Sequence, residues 1–99
     1  MMRMSVIAAG MLLFAGGGAF AQSPDGALLA GACAGCHGAR GDGSHGIPAI
    51  RGMHSEENFI ALMRAFRANE RPNTVMARIA RGYTDAEITA LAAYFARTP

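Results

Sequence analysis

Cys33-Ala34-Gly35-Cys36-His37 is the stretch on which the reading of this 99-residue chain turns. Two cysteines three positions apart, followed at once by histidine, have the form of a c-type haem attachment site. On a helical turn, positions 33, 36 and 37 stand at i, i+3 and i+4, so both sulfurs and the imidazole share one face. A flat macrocycle laid on that face can be bonded three times. The thiols add across its vinyl groups as thioethers, and His37 supplies a nitrogen to the iron. Competing uses of the pair fit poorly. Cys33 and Cys36 are the chain's two cysteines, too few for a disulfide framework, and no further Cys or His pair stands at structural-zinc spacing. A thioredoxin-like pair belongs beside a strand-helix-strand pattern, and no strand-rich segment flanks this one.

The N-terminus bears on where that cofactor is used. Residues 1–21 carry a basic start at Arg3, an apolar stretch from Val6 through Phe14, and the small-residue signature Ala19-Phe20-Ala21 before Gln22. This is the form of a secretory signal peptide. The apolar stretch is short and rich in glycine for a membrane span. The expected organisation is therefore a signal peptide over 1–21 and one haem domain over 22–99, released to a bacterial periplasm without stable membrane insertion. Attachment to haem leaves no free cysteine to oxidise there.

A domain this small buries a modest core of its own, and a cofactor can serve as the staple it needs. The nine Lys and Arg residues are all arginines, against seven Asp and Glu, for a net charge of +2. That balance excludes a nucleic-acid footprint and argues against docking through a large basic field.

The hydrophobic pattern predicts three helices. The first has Ser23 as N-cap, Pro24 at N1 and Asp25 in the first turn, and runs through Leu28, Leu29 and Ala32 into the haem motif. The second starts at Ser55, with Glu56 and Glu57 in its first turn and a buried stripe of Phe59, Leu62, Met63 and Phe66. The third opens with the capping box Thr84-Asp85-Ala86-Glu87 and buries Ile88, Leu91, Ala92 and Phe95. Residues 38–54 include Gly38, Gly41, Gly43, Gly46, Pro48 and Gly52, a loop too long for so small a domain unless something orders it. Wrapping around a haem would do so, with glycines permitting close backbone approach.

His37, the glycine-rich loop with Pro48 and Gly52, a downstream methionine, and a last helix containing Leu91, Tyr94 and Phe95 together resemble a class I cytochrome c. The segment from Glu70 through Ile88 resembles more narrowly the cytochrome subunit of flavocytochrome c sulfide dehydrogenases. The resemblance implies an all-α cytochrome c fold, with three main helices and loops wrapped around one covalently bound haem c. It also implies that the second ring nitrogen of His37 donates to the Pro48 carbonyl, orienting the imidazole and raising its donor strength.

The sixth iron ligand has several candidates: Met53, Met63, Met76, His45 and His54. Met63 lies in the apolar stripe of the second helix, where core packing is the better reading. Met53 precedes that helix by two residues. Met76 follows Pro72 in the segment where the family brings methionine to the far face of the haem, although Met76, Ile79 and Ala80 also make a packing face. His45 and His54 read as loop histidines. Arg51, Arg78, Arg81 and Tyr83 are near enough in sequence to the loops to reach a haem propionate, without a pattern that selects among them.

His/Met ligation closes both axial positions, so the chemistry expected is one-electron transfer with no substrate site on the chain itself. The partner implied by the resemblance is a flavoprotein dehydrogenase that oxidises sulfide. The alternatives are a freestanding soluble cytochrome c shuttle between respiratory complexes and a small haem peroxidase, which would need an open axial position and His45 or His54 as its acid-base group. An apolar patch of Ile47, Ile50, Val75 and Ala77 around the haem edge would suit a stable partner interface.

Overall fold

The short apolar stripes read from the sequence form five helices in the computed structural model, which describes Gly10 and residues 23–96. The export-signal reading of residues 1–21 lies, apart from Gly10, outside the described residues. The helices are α1 (Gly26–Leu29), α2 (Gly31–His37), α3 (Glu56–Arg67), α4 (Met76–Ala80) and α5 (Asp85–Phe95). Among the described residues there is no strand, and one isolated bridge joins Ser44 to Ile47.

The first helix departs from expectation at both ends of its opening turn. Asp25, not Ser23, is the N-cap, with extended backbone and a carboxylate that accepts from the N–H groups of Ala27 at 3.0 Å and Leu28 at 3.4 Å. An ionised carboxylate at that position satisfies two orphan donors and faces the positive end of the helix, so Pro24 is left outside. The single helix expected there is also divided at Ala30. The Cys33 N–H bonds to the Ala30 carbonyl three residues back, tightening the turn beside the poor helix former Gly31. Leu29 and Ala30 face the core, while Leu28 is 78% exposed.

The other two predicted helices start where their caps place them. The Ser55 hydroxyl accepts from the Asn58 N–H at 3.1 Å. Thr84 and Glu87 make the reciprocal bonds of a capping box, at 3.2 and 2.9 Å. The end of α3 is a Schellman turn. Asn69 takes a left-handed conformation (φ 56°), and the N–H groups of Glu70 and Asn69 bond back to the carbonyls of Ala65 and Phe66. Of the stripe on α3, Phe59 and Met63 are buried and Leu62 and Phe66 half-buried. On α5, Ile88, Leu91, Ala92 and Phe95 are all buried. Burying each of the larger ones contributes about 1.5–3 kcal/mol.

These faces meet in one core, with α3 packed on both α4 and α5 and α1 packed on α5. Phe59 and Phe95 stack with ring centroids 5.8 Å apart, and Tyr94 meets Phe95 edge-on at 4.9 Å. The α1–α5 crossing is close because Gly26 has no side chain. A Cβ placed there would stand 2.4 Å from the Ala90 carbonyl oxygen, inside any allowed contact. α2 touches α1 alone among the helices, and α4 touches α3 alone.

The loop over 38–54 carries backbone pairing of its own. The Gly43 N–H bonds to the His37 carbonyl at 2.7 Å, and the Gly41 carbonyl accepts from both Ile50 and Arg51. Ser44 and Ile47 pair across His45 and Gly46, both of positive φ, as a two-residue hairpin turn requires. The Gly52 N–H then ties the loop to the Phe95 carbonyl at the end of α5. Backbone pairing inside the loop therefore supplies much of its order.

The crossing gives a direct test. Gly26→Ala is expected to force α1 away from the rigid Ala90 carbonyl and to cost about 1–3 kcal/mol. Thermal unfolding of the mature protein checks it, and an unchanged midpoint would contradict the close crossing.

Candidate haem site

His37 is the last residue of α2 and is 8% exposed. Its Nδ1 lies 2.7 Å from the Pro48 carbonyl oxygen. A carbonyl offers no proton, so Nδ1–H is the donor, and the lone pair of the neutral ring is left on Nε2. A buried imidazole held by one nitrogen and basic at the other is the form a metal ligand takes. The loop that delivers Pro48 is shaped for it. Gly43 has φ 89°, and a Cβ there would stand 2.9 Å from the Ala49 nitrogen and 3.0 Å from the Ile47 oxygen.

The two sulfurs lie one helical turn apart on α2. Cys33 is half-buried against the core and Cys36 exposed, and neither is in a disulfide. Burial pushes the Cys33 thiol above its ordinary range, and a hydrogen bond with the Tyr83 side chain acts in the opposite direction. Met76 opens α4 and is half-buried against the same core cluster. Met63 is buried within that cluster, whereas Met53 is 53% exposed. His45 stands exposed on the hairpin between Ser44 and Ile47, and His54 is half-buried.

The remaining candidates are dispersed. Arg51 places its guanidinium over the Tyr94 ring at 4.8 Å from the centroid and donates Nε–H to the Arg40 carbonyl, while Arg78 and Arg81 are exposed. Of the four apolar residues expected to make one surface patch, Ile47 and Val75 are exposed, Ile50 is half-buried and Ala77 is buried. Burial of Ala77 follows from its place on the core-facing side of α4. The patch as read is thus reduced to two residues.

The donor set fits a haem. α2 presents two reduced thiols and an imidazole whose free nitrogen is the basic one, α4 presents a thioether sulfur, and the two helices are not in contact with each other. A helical domain with this arrangement is a c-type cytochrome domain. The chain belongs to the cytochrome c family, whose model matches residues 24–98, and its cofactor is covalently bound haem c. It is similar to the cytochrome subunit of sulfide dehydrogenase of Chlorobaculum tepidum, with 39% identity over 103 aligned residues covering 91% of this chain and 93% of that protein. It is also similar to the thiosulfate dehydrogenase electron acceptor of Thiomonas intermedia, 32% identical over 96 residues that cover 95% of this chain and 42% of the relative.

Two features beside the site carried little signal in the sequence. Asn73 braces the segment ahead of Met76. Its Oδ1 accepts from the Ala77 N–H at 3.0 Å, and its Nδ2 donates to the Arg71 carbonyl at 2.8 Å. Tyr83 sits in the turn before α5, pinned by Arg67, which donates to the Tyr83 carbonyl at 3.4 Å and to Asp85 Oδ1 at 2.6 Å. Arg64 adds a second, longer contact to Asp85 at 3.6 Å.

The Arg67 hydrogen bond and charge, with a smaller effect of Arg64, hold the Asp85 carboxyl below its usual range. A carboxylate more acidic in the folded than in the unfolded chain adds stability above its unfolded pKa, and that contribution disappears as pH falls through the folded value. Asp85→Asn should therefore melt lower than the parent at neutral pH. The gap should close on acidification below the ordinary carboxylate range, which thermal melts across a pH series will read.

Proposed function

We propose that this chain is an exported one-electron carrier whose iron is held between His37 and Met76 and whose electron donor is a flavoprotein that oxidises sulfide. The observation that carries the electron-transfer reading is the pairing of the Cys33-Cys36-His37 motif with an imidazole locked at Nδ1 by Pro48. When bound, haem c supplies an iron that alternates between ferric and ferrous states.

The protein's part is to hold that iron with little rearrangement. Cys33 and Cys36 bond the macrocycle to α2, and His37 offers Nε2 on one side. Met76 offers its sulfur on the other, a role supported by its place at the start of α4 behind a loop braced by Asn73. Thioether ligation favours the ferrous state relative to a second histidine. Held by both His37 and Met76, the iron would offer a substrate no open position, and an exposed His45 on a hairpin is poorly placed as the acid-base group of a peroxidase. Export is supported by the form of residues 1–21, and no helix among the described residues is long and apolar enough to cross a membrane.

The identity of the donor is supported by the match to the sulfide dehydrogenase cytochrome subunit across nearly the whole of both chains. The Thiomonas relative, named as an electron acceptor, supports a freestanding carrier as the second reading.

Two measurements test these assignments. Met76→Ala is expected to open an axial position, so that the ferrous variant binds carbon monoxide readily while the parent does not, and a variant spectrum identical to the parent's would remove Met76 as ligand. Purified at low salt from its native source, the protein should bring with it a flavin-containing chain, and sulfide should reduce its haem. A solitary haem protein indifferent to sulfide would be the freestanding carrier.

A further inference from the structure

We infer that Asn73 is a positioning residue for the sixth iron ligand, its side-chain amide tying the chain at Met76 to the end of α3 so that the methionine sulfur is held in place. The inference rests on the reading of Met76 as that ligand and goes beyond it by naming what keeps the methionine there.

α4 is too short to hold its own place. It has five residues, Met76–Ala80, well below the length at which a helix is stable alone. It touches α3 alone among the helices, and the two side chains it buries, Ala77 and Ala80, are single methyl groups. Such small groups make few interlocking contacts, so packing sets the register of α4 weakly. A slip of one residue would turn the helix by about 100° and carry Met76 to another face.

A helix start needs acceptors for its first N–H groups. Val75, at the N-cap position, makes no side-chain bond. Ala77, the residue after Met76, is buried, and its N–H finds an acceptor farther back in the chain, Asn73 Oδ1 at 3.0 Å. Leaving that buried N–H without a partner would cost more than an average hydrogen bond contributes.

The other half of the amide fixes the acceptor. Nδ2 donates to the Arg71 carbonyl at 2.8 Å and to Asn69 Oδ1 at 3.2 Å. Both donors are thus used, and turning the amide over would set an N–H against the Ala77 N–H. Each partner is anchored on α3. Asn69 is the left-handed residue of its Schellman turn, and the Arg71 guanidinium lies 5.4 Å from the centroid of the Phe66 ring. Pro72, between Arg71 and Asn73, has a fixed φ and no N–H to compete for an acceptor. A path of side-chain bonds therefore runs from the end of α3 through Asn73 to the backbone beside Met76.

The test is the rate at which natively matured ferric holoprotein binds cyanide when cyanide is in excess, since that rate is then limited by departure of the methionine. Asn73→Ala is expected to raise it at least about fivefold. Ser55→Ala removes a cap at the opposite end of α3 and lowers stability comparably without touching the path, so its rate should stay within about twofold of the parent's. A smaller rise in Asn73→Ala, or one matched by Ser55→Ala, would overturn the inference. Met76→Ala separates this inference from the reading beneath it. If that variant kept both the parent's cyanide rate and the far-red absorption band of methionine-bound ferric haem, the ligand reading itself would fail. Should Asn73→Ala not accumulate as holoprotein, Asn69→Gly decides, because glycine takes the same left-handed turn and removes only the Oδ1 acceptor. A limiting rate at least about twofold faster than the parent's then supports the inference, and a smaller change overturns it.

Discussion

The bond from His37 Nδ1–H to the Pro48 carbonyl is the constraint on which the rest of the site depends. It sets the tautomer of a buried ring, and so decides which nitrogen can bind iron. It also joins the end of α2 to a loop that would otherwise be tethered chiefly through its own turns and through α5. Proline suits that position because it offers a carbonyl without an N–H that would need its own partner. The shape of the loop follows from the same demand, since Gly43 must let residues 47 to 49 fold back within van der Waals reach.

A second set of ties works through side chains on the far side of the domain. Arg67 connects α3 to the Tyr83 carbonyl and the Asp85 carboxylate. Asn73 plays a comparable part ahead of α4, where no residue at the N-cap position itself supplies a side-chain bond. α2 and α4 are thus the least packed against other helices and are positioned by loops. This division suits an electron carrier, because loops can approach the edges of a macrocycle while α3 and α5 provide the stable core.

The attachment chemistry was legible because it is local. Cys33, Cys36 and His37 need only one helical turn to share a face, and a polypeptide supplies that turn wherever the backbone is helical. Pro48 and Met76 came from resemblance, and their distance from the motif in sequence explains why periodicity alone could not select them. Tyr83 was weighed only as a partner for a propionate. Its carbonyl proved to be held by Arg67, sixteen residues earlier in the chain, a relation that no local pattern encodes.

The capping box at Thr84, the cap at Ser55 and the buried stripe of α5 were determined by the sequence by itself, since each rests on bonds or spacings within four residues. The N-cap at Ser23 was misplaced because two neighbouring residues could both cap, and Asp25 has the charge to satisfy two N–H groups. Only the tertiary structure decided that Gly26 lies against the Ala90 carbonyl, that the Arg51 guanidinium lies over the Tyr94 ring, and that the Gly52 N–H in the loop of residues 38–54 bonds to the Phe95 carbonyl at the end of α5. Those relations join segments far apart in the chain, and their energy exists only once the core has brought the segments together.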